Sequence, residues 1–296
     1  MLPRSLGRWL LLFVVLALAS VLAFTACDDE EEEGVTPAEG ETPAAETPAA
    51  IDISGVPELQ DGVLNVGSDI AYAPMEYYEE GTQNEVGVDI DLARAMAELL
   101  GVEAEFQQVG SFEGIVGDLV AKRYDIIWSS ISILPEREEQ IDFVPYMGPV
   151  GTGVLVPTGN PESIQGLEDL CGRPVAAQVG TIEIDQMEAA NEDVCKDNPI
   201  DVKAFPDNPT AVQELTLGRV DAELADDPVA AYSALQSDGK LELAVTEIEA
   251  ATYGIGVRKD SPELKAALEE ALQQMIDNGT YGQILAEWGQ EEFAIQ

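Results

Sequence analysis

Short apolar runs alternate with amphipathic stretches from Gly62 to the end of the chain. Val63-Leu64-Asn65-Val66 runs into a turn at Gly67-Ser68 and reads as a buried strand. Val88–Leu100 has apolar residues at helical spacing and stops at Gly101, which predicts an amphipathic helix with a glycine terminus. Val102–Val109 predicts a strand, Phe112–Ala121 a helix, and Asp125-Ile126-Ile127-Trp128 a second buried strand. Phe143–Thr158 is extended and contains Pro145, Gly148, Pro149, Gly151 and Gly153, which suits a strand crossing between two lobes. The pattern then restarts, with a strand at Val175–Val179, a turn at Gly180 and a helix from Thr181. Tyr253–Val257 predicts a second crossing. Ser261-Pro262-Glu263 predicts the cap of a helix whose inner face is Leu264, Leu268, Leu272, Met275 and Ile276. Tyr281, Ile284, Leu285 and Trp288 continue that core-facing side. Strands alternating with helices of about 10–14 residues imply an α/β class with a mainly parallel sheet.

The candidate chemistry lies at strand ends. The strand at Asp125–Trp128 ends in the hydroxyls Ser129, Ser130 and Ser132, and Arg137 follows a helix start at Pro135-Glu136. A guanidinium forks onto both oxygens of a carboxylate, and hydroxyls and free N–H groups fill its remaining acceptor sites. The alternative is a surface arginine beside a serine-rich turn. Asp69 and Tyr72 lie just past the first strand, where α/β sheets bind ligands. The turn at Gly180-Thr181 offers N–H groups to an anion. Lys122-Arg123-Tyr124-Asp125 is echoed by Gly218-Arg219-Val220-Asp221, and the second strand ends in Asp226-Asp227 rather than serines. Two related lobes are therefore expected, one offering hydroxyls and an arginine, the other carboxylates.

The N-terminus changes the picture of where the protein works. Arg4 and Arg8 precede an apolar run from Trp9 to Val21, the layout of a secretory signal over residues 1–26. It ends at Cys27 after small residues, which resembles the bacterial lipoprotein signal and implies Cys27 as a lipid anchor. The acidic tract after it, rich in Thr, Pro and Ala, cannot form a core, so residues 27–55 are expected to be a self-repelling tether. From Cys27 onward 12 bases face 57 acids, and the tract to Ala50 supplies nine of those acids. Nucleic-acid binding is excluded by this charge, and adhesion of the folded part to anionic lipid is disfavoured. A field of that sign would favour cationic ligands; the alternative, expected for the bulk of the charge, is adaptation to salty surroundings. The chain has no histidine, which removes Ser-His and Cys-His catalysis and imidazole zinc sites, and neither cofactor nor metal is expected. Cys171 and Cys195, an even pair in an oxidising compartment, are expected to form a disulfide, the alternative being two free thiols.

Taken together, Tyr72-Ala73-Pro74-Met75-Glu76, Gly87-Val88-Asp89-Ile90-Asp91-Leu92, Phe112-Glu113-Gly114, Ser132–Arg137, Asp142-Phe143, Gly180-Thr181 and Asp221–Asp226 carry a resemblance. In this order and spacing the chain resembles the polar-amino-acid-binding family of periplasmic-type solute-binding proteins of ABC importers, over roughly Leu64 to Phe293. The resemblance implies an α/β, two-lobe periplasmic-binding-protein-like fold with two crossing hinge strands. Residues 56–147 with 252–296 would form one lobe and 148–251 the other. It implies that Arg137 pairs with a ligand α-carboxylate, helped by Ser132 and the amides around Thr181 and Ile182. Asp226 would take the α-ammonium with Ser130 as a further acceptor, Tyr72 and Phe112 would sandwich the side chain, and Asp69 would face its far end. A basic or glutamine-like ligand is favoured, and a permease would be the membrane partner of a monomer.

Two other functions stay in view. The same fold resembles dehydratases of the aromatic amino-acid pathway, for which Glu183 or Asp227 would be the acid. An amino-acid sensor acting through a partner is the third.

Overall fold

The computed structural model describes residues 50–295. Cys27, the signal segment and residues 27–49 of the expected tether lie outside them. Within the expected tether, Ile51 is already buried with Val56 and Leu59 against the first core. Packing therefore starts before Val56.

In chain order the first half holds β1 (Val63–Ser68), the small strands β2 (Ala71–Tyr72), β3 (Glu76–Tyr78) and β4 (Glu85–Val86), then α1 (Val88–Leu100) and β5 (Glu103–Gln108). It continues with α2 (Ile115–Val120), β6 (Ile126–Ile127), the short α3 (Pro135–Glu138) and the long β7 (Ile141–Pro157). The second half holds β8 (Pro174–Gln178), α4 (Ile182–Glu192), β9 (Asp201–Phe205), α5 (Asn208–Thr216), β10 (Ala222–Asp226) and α6 (Asp227–Gln236). The long β11 (Leu241–Arg258), α7 (Pro262–Asp277) and α8 (Thr280–Glu287) complete the chain.

One eight-stranded sheet runs in the order β5-β1-β6-β11-β7-β10-β8-β9. β1 pairs in parallel with β5 and β6, and β8 in parallel with β9 and β10. The middle is the antiparallel pair β7–β11, which runs from Ile141 opposite Arg258 to Pro157 opposite Leu241. Each half is thus a small parallel sheet bordered by one end of the same long ribbon. The ribbon's register shifts repeatedly between Leu243 and Gly254, and Glu247 and Glu249 there adopt positive φ.

The inner strands β6 and β10 are covered on both faces and buried throughout, whereas the outer strands β5 and β9 carry exposed polar residues. Ile126 belongs to the core under α1 and α7, and its neighbour Ile127 to the core on the opposite face, with Ile115 and Leu119 of α2. In the second half Val154 and Val156 face one core and Leu155 the other. Trp128 is fully buried, edge-on to Tyr146 at 5.3 Å between ring centres.

The sequence echo is a structural repeat. Lys122 (φ 62°) and Gly218 (φ 66°) both take the left-handed conformation after their helices. The following arginine amides close the same six-residue turn, Arg123 N–H onto Asp118 O and Arg219 N–H onto Glu214 O. Each arginine also pairs with the acid it turns back to, at 3.2 and 2.6 Å. The next aspartate amides, Asp125 and Asp221, then donate to carbonyls of the neighbouring parallel strands. The same local chemistry delivers β6 and β10 to equivalent places in the two halves.

One local expectation fails. Ser261 stands at the N-cap position of α7, but its side chain makes no capping bond; its hydroxyl donates to Glu58, a partly buried acid that also pairs with Arg258 at 2.9 Å. The bond to a charged acceptor fixes the hydroxyl on Glu58, so its oxygen is not turned to accept from the helix amides.

Cys171 and Cys195 are bonded, with Cα atoms 5.1 Å apart, and enclose β8 and α4. Replacing both by serine is expected to lower the unfolding free energy by about 3 kcal/mol in the chain-entropy picture. For a chain of this size that is a fall of about 6–12 °C in Tm by calorimetry, and an unchanged midpoint would refute it.

Candidate functional site

Two strands of each half's parallel sheet end at one cavity. Asp69 follows β1, Ser129 and Ser130 follow β6, Gln178 closes β8, and Asp226 closes β10. Tyr72 comes from β2, Glu76 from β3, Phe112 from the turn after β5, and Ser132 and Arg137 from the segment through α3. Thr181, Ile182 and Glu183 open α4. All nine residues that the sequence singles out for ligand contact therefore line one space, with an empty volume of about 330 Å³. Asp227 does not line it; its carboxyl accepts the Glu247 N–H at 2.9 Å at the start of α6. Trp128 does not line it either.

The positive side of the cavity is Arg137. Its terminal nitrogens donate to Ser132 O at 2.9 Å and Gly180 O at 3.1 Å, and its guanidinium lies 5.7 Å from the Phe112 ring centre. Burial pulls its pKa down, opposed by nearby Glu136, Glu183, Asp185 and Asp226, yet a guanidinium stays charged. Gly180 has φ 79°, and a Cβ there would lie 2.5 Å from the Glu113 backbone. Only glycine lets the two halves approach here.

The negative side is larger. Asp226 accepts the Tyr72 hydroxyl at 2.8 Å and returns its own amide to the same oxygen at 3.1 Å. Desolvation, then Glu183, push its carboxyl well above the usual range. Asp69 takes amide donors from Gln178 and, at 2.9 Å, from Gln108, but burial still raises its pKa. Glu183 is raised by burial and takes the Thr152 hydroxyl at 3.1 Å. Glu183 stands in the first turn of α4, at the amino end that the sequence assigns to a ligand carboxylate. The Thr181 hydroxyl donates to Gln178 O at 2.8 Å.

Beneath the cavity wall two carboxyls meet. Asp89 accepts the Ser130 amide and the Tyr146 hydroxyl, each at 2.7 Å, and the Ser130 hydroxyl at 3.1 Å. Glu76 accepts the Ser129 hydroxyl at 2.7 Å. Burial pushes Asp89 up to about 6, and burial together with Asp89 pushes Glu76 well above its ordinary value. Ser130 is held at φ 45° while it serves this pair. The sequence reading makes it an acceptor for a ligand ammonium; here its hydroxyl proton is directed at Asp89.

Four further wall residues, Glu76, Ser129, Gln178 and Glu183, were not among the expected ligand contacts. Gln178 carried a usable signal, a polar residue at the end of an otherwise apolar strand.

The profile of the bacterial extracellular solute-binding proteins, family 3, matches residues 64–291. The arginine-binding protein ArgT of Corynebacterium glutamicum is 34% identical over 80% of this chain and 78% of its own length. An ancestral arginine-binding protein solved with arginine superposes with a TM-score of 0.71 at 34% identity, covering 77% of this chain and 98% of that one. An ancestral amino-acid-binding protein, a precursor of cyclohexadienyl dehydratase, gives 0.68 at 34% identity, covering 78% and 96%.

The buried acids set a pH dependence. A carboxyl whose folded pKa is raised binds more protons folded than unfolded, so its stabilisation is complete below the unfolded value and lost as pH rises through the folded one. Asp69, Glu76, Asp89, Glu183, Glu223 and Asp226 all shift upward. The unfolding free energy is expected to fall between about pH 5 and 8, by about 1.4 kcal/mol per pH unit for each excess proton, the Tm falling with it, and Glu76→Gln should make the decline shallower. A Tm rising through that window would overturn this account.

Proposed function

The chain belongs to family 3 of the bacterial extracellular solute-binding proteins, and from that premise we propose that it captures a polar α-amino acid with a cationic side chain, in the manner of arginine. The observation that carries this reading is the imbalance of the cavity, one guanidinium against the carboxyls of Asp69, Glu76, Glu183 and Asp226. A zwitterion needs one fixed charge of each sign, because an unpaired buried charge costs several kcal/mol. Arg137 takes the α-carboxylate, with Ser132 and the amides around Thr181 and Ile182, and Asp226 takes the α-ammonium. Ser130 supports that end, Tyr72 and Phe112 flank the side chain, and Asp69 meets its far end. The carboxyls left over favour a cation there over an amide.

Residues 56–147 with 252–296 then act as one lobe and 148–251 as the other, hinged on β7 and β11. Contacts from both lobes give the ligand its preference for the closed state. No described helix is long and apolar enough to cross a membrane. Cys27 supplies the anchor, the tether holds the binding part outside the cell membrane, and an ABC permease receives the ligand from a monomer. The likeness to a dehydratase precursor makes an enzyme the second reading, with Glu183 as its acid; the intact pair of opposite charges favours binding.

Thermal unfolding against the twenty amino acids tests this. A ligand at a hundredfold excess over its Kd adds about 2.7 kcal/mol, a rise of about 5–10 °C. The rise is expected with arginine and lysine first and is expected to vanish in Arg137→Ala. No shift with any amino acid would discard the reading.

A further inference from the structure

Glu76 is fully buried in the cavity wall, and the hydrogen atoms around it can be counted. The Ser129 oxygen accepts the Asp69 amide at 2.9 Å, which leaves its one proton for Glu76 Oε1. The Ser130 hydroxyl lies 3.1 Å from Asp89 Oδ2 and 3.4 Å from Glu76 Oε2, and it has one proton to give. Asp89 has two better donors besides, the Ser130 amide and the Tyr146 hydroxyl. Glu76 Oε2 is left facing a carboxylate with no donor of its own. Two buried carboxyls in contact cannot both ionise, and the one poorer in donors keeps the proton.

The other charged and titratable groups around Glu76 do not change this. Asp69, from the end of β1, adds a second negative charge. Tyr146, from β7, is held neutral by burial and donates to Asp89. Across the cavity stand Asp226 and Glu183 from the second half, and Arg137, whose terminal nitrogens are committed to the carbonyls of Ser132 and Gly180. Arg137 is the one side-chain cation in the cavity wall among the described residues, and a ligand carboxylate would claim it.

We propose that the cavity exchanges a proton for a cationic side chain: as the ligand's positive group enters, Glu76 gives its carboxyl proton to solvent and becomes the counter-ion. A neutral side chain of the same shape leaves that proton in place. This deepens the proposed function, since it assumes an amino acid held at Arg137 and Asp226. Protons exchanged at Asp226 and Glu183 on binding the ammonium are common to every amino acid and cancel in a comparison of ligands. Citrulline is the matched neutral partner of arginine. By linkage, arginine affinity rises about tenfold per pH unit relative to citrulline wherever Glu76 starts protonated.

The test is titration calorimetry of the whole protein with arginine and with citrulline, at about pH 6, in two buffers of different ionisation enthalpy. Arginine is expected to release about one proton more than citrulline. Glu76→Gln is expected to remove that difference and to flatten the pH dependence of arginine affinity. Equal release in the unaltered protein overturns the proposal, and so does a difference that survives Glu76→Gln, which would move the proton to Asp69. The arginine–citrulline comparison needs no variant, so it decides even if Glu76→Gln misfolds. If citrulline does not bind, the slope of arginine affinity with pH, compared between the unaltered protein and the variant, decides instead. Failure of arginine to bind at all would strike the proposed function itself, whereas equal proton release with both ligands bound would leave that function standing.

Discussion

Burying a surplus of carboxyl groups around one guanidinium is the constraint on which the rest of this structure depends. Asp69, Glu76, Asp89, Glu183, Glu223 and Asp226 are all under a tenth exposed, and Arg137 is the cation among them. Unpaired, each would cost several kcal/mol. The fold answers with donors: two glutamines on Asp69, an amide and two hydroxyls on Asp89, Tyr72 on Asp226, Thr152 on Glu183, and Asn208 on Glu223 at 2.8 Å. The positive φ of Ser130 has the same origin, because it aims both an amide and a hydroxyl at one carboxylate. What donors cannot neutralise, retained protons must.

Several of these bonds tie residues of different halves. Tyr72 reaches Asp226, Gln178 reaches Asp69, and Arg137 reaches Gly180 O. The groups that would hold a ligand are thus the groups that hold the halves together, so in the proposed closing of two lobes occupancy and closure would draw on one set of contacts. The ribbon that joins the halves is correspondingly irregular. Its register slips five times between Leu243 and Gly254, where Glu247 and Glu249 take conformations that favour glycine. A straight, fully paired ribbon would resist bending at that place.

Much of this was legible in the sequence, because strand ends are marked locally. An apolar run followed by Ser129-Ser130, or by Asp226-Asp227, announces its own terminus, and the echo of Lys122–Asp125 in Gly218–Asp221 comes from a turn that local chemistry dictates. Tertiary context decided the rest. Glu76 sits in the middle of a recognisable motif, but its burial against Asp89 requires α1 and β3 to meet. Gln178 becomes a wall residue only when the halves close on Asp69. Ser261 looks like a helix cap until Glu58, about 200 residues earlier in the chain, arrives to take its proton. Ile51 looks like the end of a tether because nothing nearby in sequence shows the surface it covers. Asp226 and Asp227 read alike in the chain, and only the turn into α6 separates the one that lines the cavity from the one that does not.

The acidity of the surface and the acidity of the cavity are different quantities with different consequences. The formal net charge of −43 rests mostly on exposed carboxyls, whose fields are screened within about 8 Å at physiological ionic strength. Such a field raises the rate at which cations arrive, and added salt removes it. It does not distinguish arginine from lysine, and it is not the field felt inside the cavity, where Glu76 is buried in the wall with Asp89 behind it. The buried set is shielded from salt but answers to pH, because its charge is adjusted by protons. Rising salt should therefore slow capture of any cationic ligand, while on the proposed proton exchange the choice between a cationic ligand and a neutral one of equal shape would stay with Glu76. Adaptation to salty surroundings can reshape the surface without disturbing that choice.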